Sequence, residues 1–119
     1  MVDLSELKLK FEAVKTKLGY QNKIQKLSTL EKESQNTNLW DNPQKAQELL
    51  QSISFLQKTI QQIQKIESDM QTLNEFIEFI DQNPDPSIEM EIQNSLTNLE
   101  SAISELEIQT YLSGKYDSK

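Results

Sequence analysis

The stretch Asp81-Gln82-Asn83-Pro84-Asp85-Pro86-Ser87 decides the fold of this chain, because one long helical pattern ends in it and another begins. Proline lacks an amide hydrogen and its ring clashes with the preceding turn, so two prolines within three residues stop a helix. Asp85 or Ser87 can then cap the helix that follows. A short turn between two long amphipathic helices predicts an antiparallel hairpin.

The segment before this turn carries the strongest helical pattern in the chain. Residues 43 to 82 contain no glycine, and no proline after Pro43. Their apolar residues recur at alternating steps of three and four, which predicts one amphipathic helix of about 60 Å at 1.5 Å per residue. The predicted core positions are Ala46, Leu49, Ile53, Leu56, Ile60, Ile63, Ile66, Met70, Leu73, Ile77 and Ile80. Additional apolar residues that widen the stripe are Leu50, Phe55, Phe76 and Phe79.

The segments on either side of this helix show the same rhythm. The core positions predicted after the turn are Ile88, Ile92, Leu96, Leu99, Ile103 and Leu106. We expect that helix to end near Ser113-Gly114, because glycine suits the left-handed conformation that often follows a helix. The core positions predicted at the beginning of the chain are Leu4, Leu7, Phe11, Val14 and Leu18, followed by Tyr20, Ile24, Leu27 and Leu30. Gly19 interrupts this first series, and glycine within a helix costs about 1 kcal/mol relative to alanine.

These patterns together predict an all-α protein, an antiparallel three-helix bundle with coiled-coil-like seams. Gly19 should kink or split the first helix. We assign residues 1–113 to the bundle and expect residues 114–119 to begin a linker to a following domain that this chain does not contain. We find no internal repeat and no convincing strand.

The composition excludes several kinds of functional site. The chain of 119 residues has no cysteine and no histidine, which removes thiolate metal sites and the usual general base near neutral pH. Its two glycines cannot build a glycine-rich phosphate loop. The acids between Asp81 and Glu91 have no calcium-loop spacing, and Glu75, Glu78, Glu89 and Glu91 lie on long helices without basic partners nearby in sequence. We therefore expect no catalytic residue, no metal and no cofactor in this chain. No apolar run is long enough to span a membrane and the N-terminus is not a secretory signal, so we expect a cytoplasmic protein.

The charges divide the chain into unlike parts. The net charge is −7, yet residues 1 to 35 carry seven lysines against five acids, while residues 66 to 114 carry eleven acids and no lysine. We expect the lysines of the first helix to lie beside the acidic last helix. Proteins that read nucleic acids usually cluster arginine and lysine on one face, and this chain has no arginine. It should show little direct nucleic-acid binding.

A second informative stretch begins the long helix and contains the only tryptophan. In Leu39-Trp40-Asp41-Asn42-Pro43, either Asp41 or Asn42 can cap the helix, and Pro43 fits its first turn. Two roles remain open for Trp40. It can pack under the first helical turn as a hydrophobic staple, the usual role of such a residue, or it can be exposed for contact with a partner.

Three motifs, taken in order, resemble the N-terminal domain of bacterial peptide chain release factor 2. The first is the Gly19-Tyr20 break in the first helical segment. The second is a Trp-Asp-x-Pro-x-x-Ala-Gln helix start, and the third is a closing Ser-Gly-x-Tyr-Asp. The residues that match the second and third motifs are Trp40, Asp41, Pro43, Ala46, Gln47, Ser113, Gly114, Tyr116 and Asp117. The likeness extends over nearly the whole chain, although the helices between the motifs are generic.

The resemblance implies a function in the termination of translation, although this chain lacks the motifs that carry out its chemistry. Members of the family end translation at UGA and UAA codons, and they use a Ser-Pro-Phe codon-reading motif and a Gly-Gly-Gln loop for peptidyl-tRNA hydrolysis. This chain contains neither motif, so the resemblance implies a docking domain rather than an enzyme. The partners it implies are the ribosome, at the stalk base of the large subunit, and the GTPase release factor 3.

The candidate docking surface is the acidic last helix, with Glu100, Glu105 and Glu107, or the exposed turn at residues 83–86. The motifs at Trp40 and at Gly114 are then structural, and the last one leads into the next domain. The alternative is a stand-alone coiled-coil scaffold or a prefoldin-like holdase. The helical seams fit both readings, whereas the Trp40 stretch favours the release factor.

Overall fold

A computed structural model describes residues 3–117 of the chain, with the side chains of residues 3–111. These residues form four α-helices and one 3-10 helix, with no strand. The elements are α1 (Leu4–Leu18), α2 (Tyr20–Ser34), the 3-10 helix (Thr37–Asp41), α3 (Pro43–Gln82) and α4 (Pro86–Asp117). The predicted all-α fold is confirmed. The chain divides into two compact units, residues 1–18 with 63–119, and residues 19–62.

The first unit combines α1, the second half of α3 and α4. Two ion pairs show which parts of α3 and α4 lie beside α1. Lys15 is 3.2 Å from Glu67 of α3, and Lys10 is 3.9 Å from Glu107 of α4. At its other end, Leu4 lines one groove with Ile77 and Ile80 of α3 and with Ile92 and Leu96 of α4. Helix α1 is therefore antiparallel to α3 and parallel to α4, as an up-down-up bundle requires. The prediction that the lysine-bearing first helix lies beside the acidic last helix is confirmed.

The core of this unit follows the predicted seams. All five predicted positions of α1 are buried, and Phe11 is among the most completely enclosed side chains of the protein. Ile63, Ile66, Met70 and Leu73 are buried on α3. On α4 the buried positions are Ile92, Leu96, Leu99, Ile103 and Leu106. The seam weakens towards the turn, where Ile77, Ile80 and Ile88 are only half-buried.

Gly19 splits the first helical segment rather than kinking it. Its φ of 64° is in the left-handed region, and it precedes α2 as the N-terminal flanking residue. Glycine has no Cβ, so it adopts this conformation without the steric cost that other residues meet. The carbonyl of Gly19 accepts the first α2 hydrogen bond from the amide of Lys23, at 2.9 Å.

The second unit contains α2, the 3-10 helix and the first half of α3. On α3 the predicted positions Ala46, Leu49, Ile53, Leu56 and Ile60 are buried, and Thr59 is a buried polar residue beside them. Helix α2 has no buried residue, since its predicted seam of Tyr20, Ile24, Leu27 and Leu30 is only half-buried. The seam of α2 therefore has the predicted period, with much less burial than the seam of α1.

The turn between α3 and α4 forms as its prolines predict. Helix α3 ends at Gln82, and Pro86 occupies the first position of α4, where a missing amide hydrogen costs nothing. Asp85 caps α4, because its Oδ1 accepts hydrogen bonds from the amide of Ser87 at 3.0 Å and from its hydroxyl at 2.8 Å. The hydroxyl bond, followed by the amide bond, holds the pKa of Asp85 below its ordinary value of 3.8.

Helix α4 does not end where its glycine suggested. It continues through Ser113 and Gly114 to Asp117, and Gly19 is the only residue with positive φ in the described part of the chain. A single glycine weakens a helix by about 1 kcal/mol relative to alanine without forbidding it, and residues 115–117 contain no proline that would stop the helix. Within residues 3–117, no helix is long and apolar enough to cross a membrane.

Candidate functional site

The segment that leads into α3 is the first candidate site, and a short 3-10 helix shapes it. Its cap is Asn36, whose Oδ1 accepts a hydrogen bond from the amide of Asn38 at 3.0 Å. Side chains of this type compete for backbone hydrogen bonds, which explains why α2 stops at Ser34. The 3-10 turn then carries the chain through Trp40 to Asp41.

Asn42, rather than Asp41, caps α3. Its Oδ1 accepts a hydrogen bond from the amide of Lys45 at 3.3 Å, and its backbone carbonyl accepts the first helical bond from Ala46 at 3.1 Å. The amide of Asn42 donates in turn to the carbonyl of Leu39, at 3.1 Å. The cap is therefore joined to the 3-10 helix on one side and to α3 on the other, and Pro43 occupies the first turn as predicted.

Trp40 is not buried beneath the helix start. Its side chain is 53% exposed, which contradicts the role of a packed staple. It lies along one side of a shallow groove of about 510 Å³ whose lining is entirely uncharged. The residues of this groove are Trp40, Pro43, Ala46, Gln47, Leu50, Gln51 and Ser54. The helix start thus presents an aromatic side chain at the surface.

The two remaining residues of the helix-start motif have different positions. Ala46 is buried at 3% exposure, where its small side chain belongs to the core seam of α3. Gln47 is exposed and lines the Trp40 groove. Sequence spacing distinguishes these two roles, because Ala46 follows the three-four rhythm and Gln47 is one position beside it.

The acidic surface of α4 is the second candidate site, and its three predicted residues are not equivalent. Glu105 is exposed, while Glu100 and Glu107 are half-buried. Glu107 faces Lys10, whose Nζ also lies 3.4 Å from the Ser104 hydroxyl. Glu107 therefore already has a basic partner within the bundle, and Glu105 is the most accessible of the three.

The C-terminal motif can be described only by its backbone. Gly114, Tyr116 and Asp117 belong to the last turns of α4, and their side chains lie outside the described residues. Among residues 3–117, no group of three or more carboxylates gathers as a metal site would require.

The structure also contains one helix cap and several exposed apolar side chains that the apolar pattern did not predict. Asp3 caps α1, since its Oδ1 accepts a hydrogen bond from the amide of Glu6 at 3.1 Å. The signal was present, because an acid or hydroxyl residue followed three positions later by glutamate is the pattern of a capping box. Phe55 and Phe79, which the sequence placed beside the apolar stripe of α3, are 59% and 50% exposed, so the buried side of this helix is narrower than its apolar pattern.

Comparison with known proteins gives one consistent result. The PCRF domain family matches residues 23–119 of this chain. The chain is similar to peptide chain release factor 2 of Streptomyces avermitilis, with 28% identity over 123 residues, covering 100% of this chain and 33% of that protein. Its similarity to peptide chain release factor 2 of Thermomicrobium roseum is 27% over 117 residues, covering 98% of this chain and 31% of that protein. Its similarity to peptide chain release factor 2 of Corynebacterium glutamicum strain R is 30% over 118 residues, covering 98% of this chain and 31% of that protein. The chain spans about a third of the length of these curated relatives.

Proposed function

Because this chain belongs to the PCRF domain family, we propose that it is the N-terminal helical domain of a class I peptide chain release factor of the release factor 2 type. The observation that carries the proposal is coverage. The family matches residues 23–119, and relatives named peptide chain release factor 2 align with 98% to 100% of the chain. The alignments with these relatives extend over the positions of all three motifs, while the family match begins at residue 23, after Gly19-Tyr20.

In this proposal the complete protein ends translation at UGA and UAA codons and promotes hydrolysis of the peptidyl-tRNA ester. The chain has no Ser-Pro-Phe and no Gly-Gly-Gln sequence, and it spans about a third of its relatives. The codon-reading and hydrolytic residues then belong to the remaining two thirds. The last turns of α4, which reach Asp117, then lead into that part, and the helical domain contributes binding rather than chemistry.

The proposed partners are the ribosome near the stalk base of its large subunit and the GTPase release factor 3. The surface we propose for this contact is the acidic outer side of α4, where Glu105 is exposed and no lysine occurs between residues 66 and 114. Surface charges of one sign steer an oppositely charged partner and raise its association rate. Because the domain is acidic, a basic ribosomal protein fits this surface better than RNA does.

The test is charge reversal in the full-length protein. Glu105→Lys, alone and combined with Glu100→Lys, should lower the rate constant for association with stop-codon ribosomes about tenfold at low salt, and the loss should shrink as salt screens the charges. The measurement is pre-steady-state peptide release as a function of factor concentration. The rate at saturating factor should stay constant, because these residues take no part in the chemistry.

Two variants act as controls for this test. Glu48→Lys makes the same charge change at an exposed position that belongs to α3 rather than to α4, and it should leave the association rate constant near its original value. Glu107→Gln removes the ion pair with Lys10, so circular dichroism should show that it still folds before its kinetics are compared. Unchanged release kinetics for Glu105→Lys and the double variant would disprove the proposed surface while leaving the family assignment intact.

The scaffold or holdase alternative is not favoured. The amphipathic seams fit a scaffold or holdase as well as a release factor. A scaffold or holdase would not account for the match of the PCRF family over residues 23–119.

A further inference from the structure

The turn end of the first unit contains an open apolar groove that the proposed function does not use. Its volume is about 720 Å³, and its residues come from the start of α1, the end of α3 and the start of α4. Most of its lining is apolar and includes Leu4, Ile77, Ile80, Met90 and Ile92. Asp3 and Glu89 are its charged residues, and both are acidic.

The groove exists because the three helices do not end at the same level. Helix α1 begins at Leu4, and Leu4 lines the groove together with Ile92 and Leu96. These two residues lie about two turns or more beyond Pro86, where α4 begins. Burial therefore declines along both long helices: Leu73 and Ile92 are enclosed, whereas Ile80 is half-buried and Met90 is 68% exposed. Among the described residues, no third helix covers the last turn of α3 and the first turn of α4.

The shape of the groove indicates a helical occupant. Over the rest of this unit, α1 fills the space between α3 and α4 with residues spaced three and four apart. The groove continues that space towards the turn and offers apolar contacts from two antiparallel helices. An amphipathic helix is the element that binds such a groove, through apolar anchors at the same spacing.

The charge around the groove indicates the sign of the occupant. The turn end has six acids, and the nearest lysines in sequence lie before residue 66 and after residue 114. These six are Glu75, Glu78, Asp81, Asp85, Glu89 and Glu91, of which all but Asp85 are exposed. A second copy of this chain, with net charge −7, would place like charges against these acids. A basic partner would place opposite charges against them.

We propose that the turn-end groove of α3 and α4 is a docking site for a lysine- or arginine-rich amphipathic helix of a partner protein. The apolar side of that helix contacts Ile77, Ile80 and Met90, and its basic flanks face Asp3 and Glu89. This goes beyond the proposed function, because it specifies the chemistry of a bound segment and its test requires no ribosome.

The test uses this 119-residue chain and a designed peptide of about four helical turns. The peptide has leucine at helical positions i, i+3, i+4 and i+7 and lysine at the positions that flank the leucines on both sides. A matched peptide keeps the leucines and replaces each lysine with glutamate. Fluorescence anisotropy should show that the lysine peptide binds at least about tenfold more tightly than the glutamate peptide, with the difference falling as salt rises.

Two methionines locate the binding site within the protein. With 13C-methyl-methionine labelling, the Met90 signal should shift on addition of the lysine peptide, while Met70, which is 5% exposed in the core, should shift little. Met90→Lys should weaken binding about tenfold by placing a like charge against the peptide. Leu9→Lys is the matched control, since it makes the same charge change at a residue that is 75% exposed and does not line the groove.

Several results would overturn this inference. Equal affinity for the lysine and glutamate peptides would remove the argument from charge. An unshifted Met90 signal in the wild-type protein, or equal weakening by Leu9→Lys and Met90→Lys, would place the contact elsewhere or reduce it to general electrostatic attraction. The methyl signal is measured on the unaltered chain, so the inference is tested even if Met90→Lys folds poorly.

Discussion

At the scale of single residues, Gly19 has the clearest structural requirement. Its left-handed conformation separates α1 from α2, and no other described residue has positive φ. A Cβ at this position would meet only the side chain of Asn22, at 3.8 Å. The requirement for glycine is therefore conformational rather than steric, because a Cβ has room here but other residues rarely adopt the left-handed φ of Gly19.

We expect Gly19→Ala to destabilise the protein by about 1 kcal/mol, because the left-handed strain outweighs the entropy that alanine removes from the unfolded chain. Gly19→Asn should cost less, since asparagine adopts this conformation more readily. Urea unfolding followed by circular dichroism measures both variants. An alanine variant as stable as the original would mean that the two helices can join into one without loss.

At the scale of helices, the two long ones begin in the same way. Asn42-Pro43 begins α3 and Asp85-Pro86 begins α4, with a capping side chain followed by proline in the first turn. Both starts are local, so sequence alone predicted their positions. Which of Asp41 and Asn42 is the cap depended on the 3-10 helix before them, which the sequence pattern did not reveal.

The cap of α4 should give stability a specific pH dependence. The folded protein holds the pKa of Asp85 below its ordinary value of 3.8, so the unfolded chain takes up the proton first as pH falls. The stability that this carboxylate contributes is therefore complete above about pH 3.8 and is lost as pH falls through the lower folded value. Asp85→Asn keeps an acceptor oxygen without a charge that titrates.

Thermal unfolding of the original protein and of Asp85→Asn, compared at pH 6 and near pH 3, measures this contribution. The difference between their melting temperatures should move in favour of the variant as pH falls. Other carboxylates titrate in both proteins, so the comparison isolates Asp85. A constant difference across this range would show that the cap does not depend on ionisation.

The helices also differ in how much stability their seams supply. Leu7 of α1 is 2% exposed, whereas Leu27 of α2 is half-buried. Leu7→Ala should cost about 3 kcal/mol, because it leaves a closed cavity. Leu27→Ala should cost about 1 kcal/mol, since a half-exposed side chain loses less transfer free energy and opens no cavity. Chemical denaturation compares the two, and equal costs would mean that α2 is packed more tightly than its exposure indicates.

At the scale of the whole molecule, charge and apolar surface are distributed unevenly. Two lysines of α1 face acids of α3 and α4, in the Lys15–Glu67 and Lys10–Glu107 pairs. Each such pair at a partly exposed position contributes about 0 to 1 kcal/mol, so these pairs guide the arrangement more than they stabilise it. The acids near the turn have no lysine neighbours in sequence, and that end also exposes apolar side chains.

The sequence by itself determined the helical fold, the turn at residues 81–87, the break at Gly19 and the buried positions of α1, because each depends on contacts or backbone preferences a few residues apart. It also contained the motifs that resemble the release factor family. Only the tertiary structure decided that Trp40 is exposed, that Glu107 faces Lys10 and that the described residues leave an open groove at the turn end of α3 and α4. Burial and pairing of this kind depend on which distant segments become neighbours and where each helix stops along the others, and a periodic apolar pattern specifies a face without specifying what covers it.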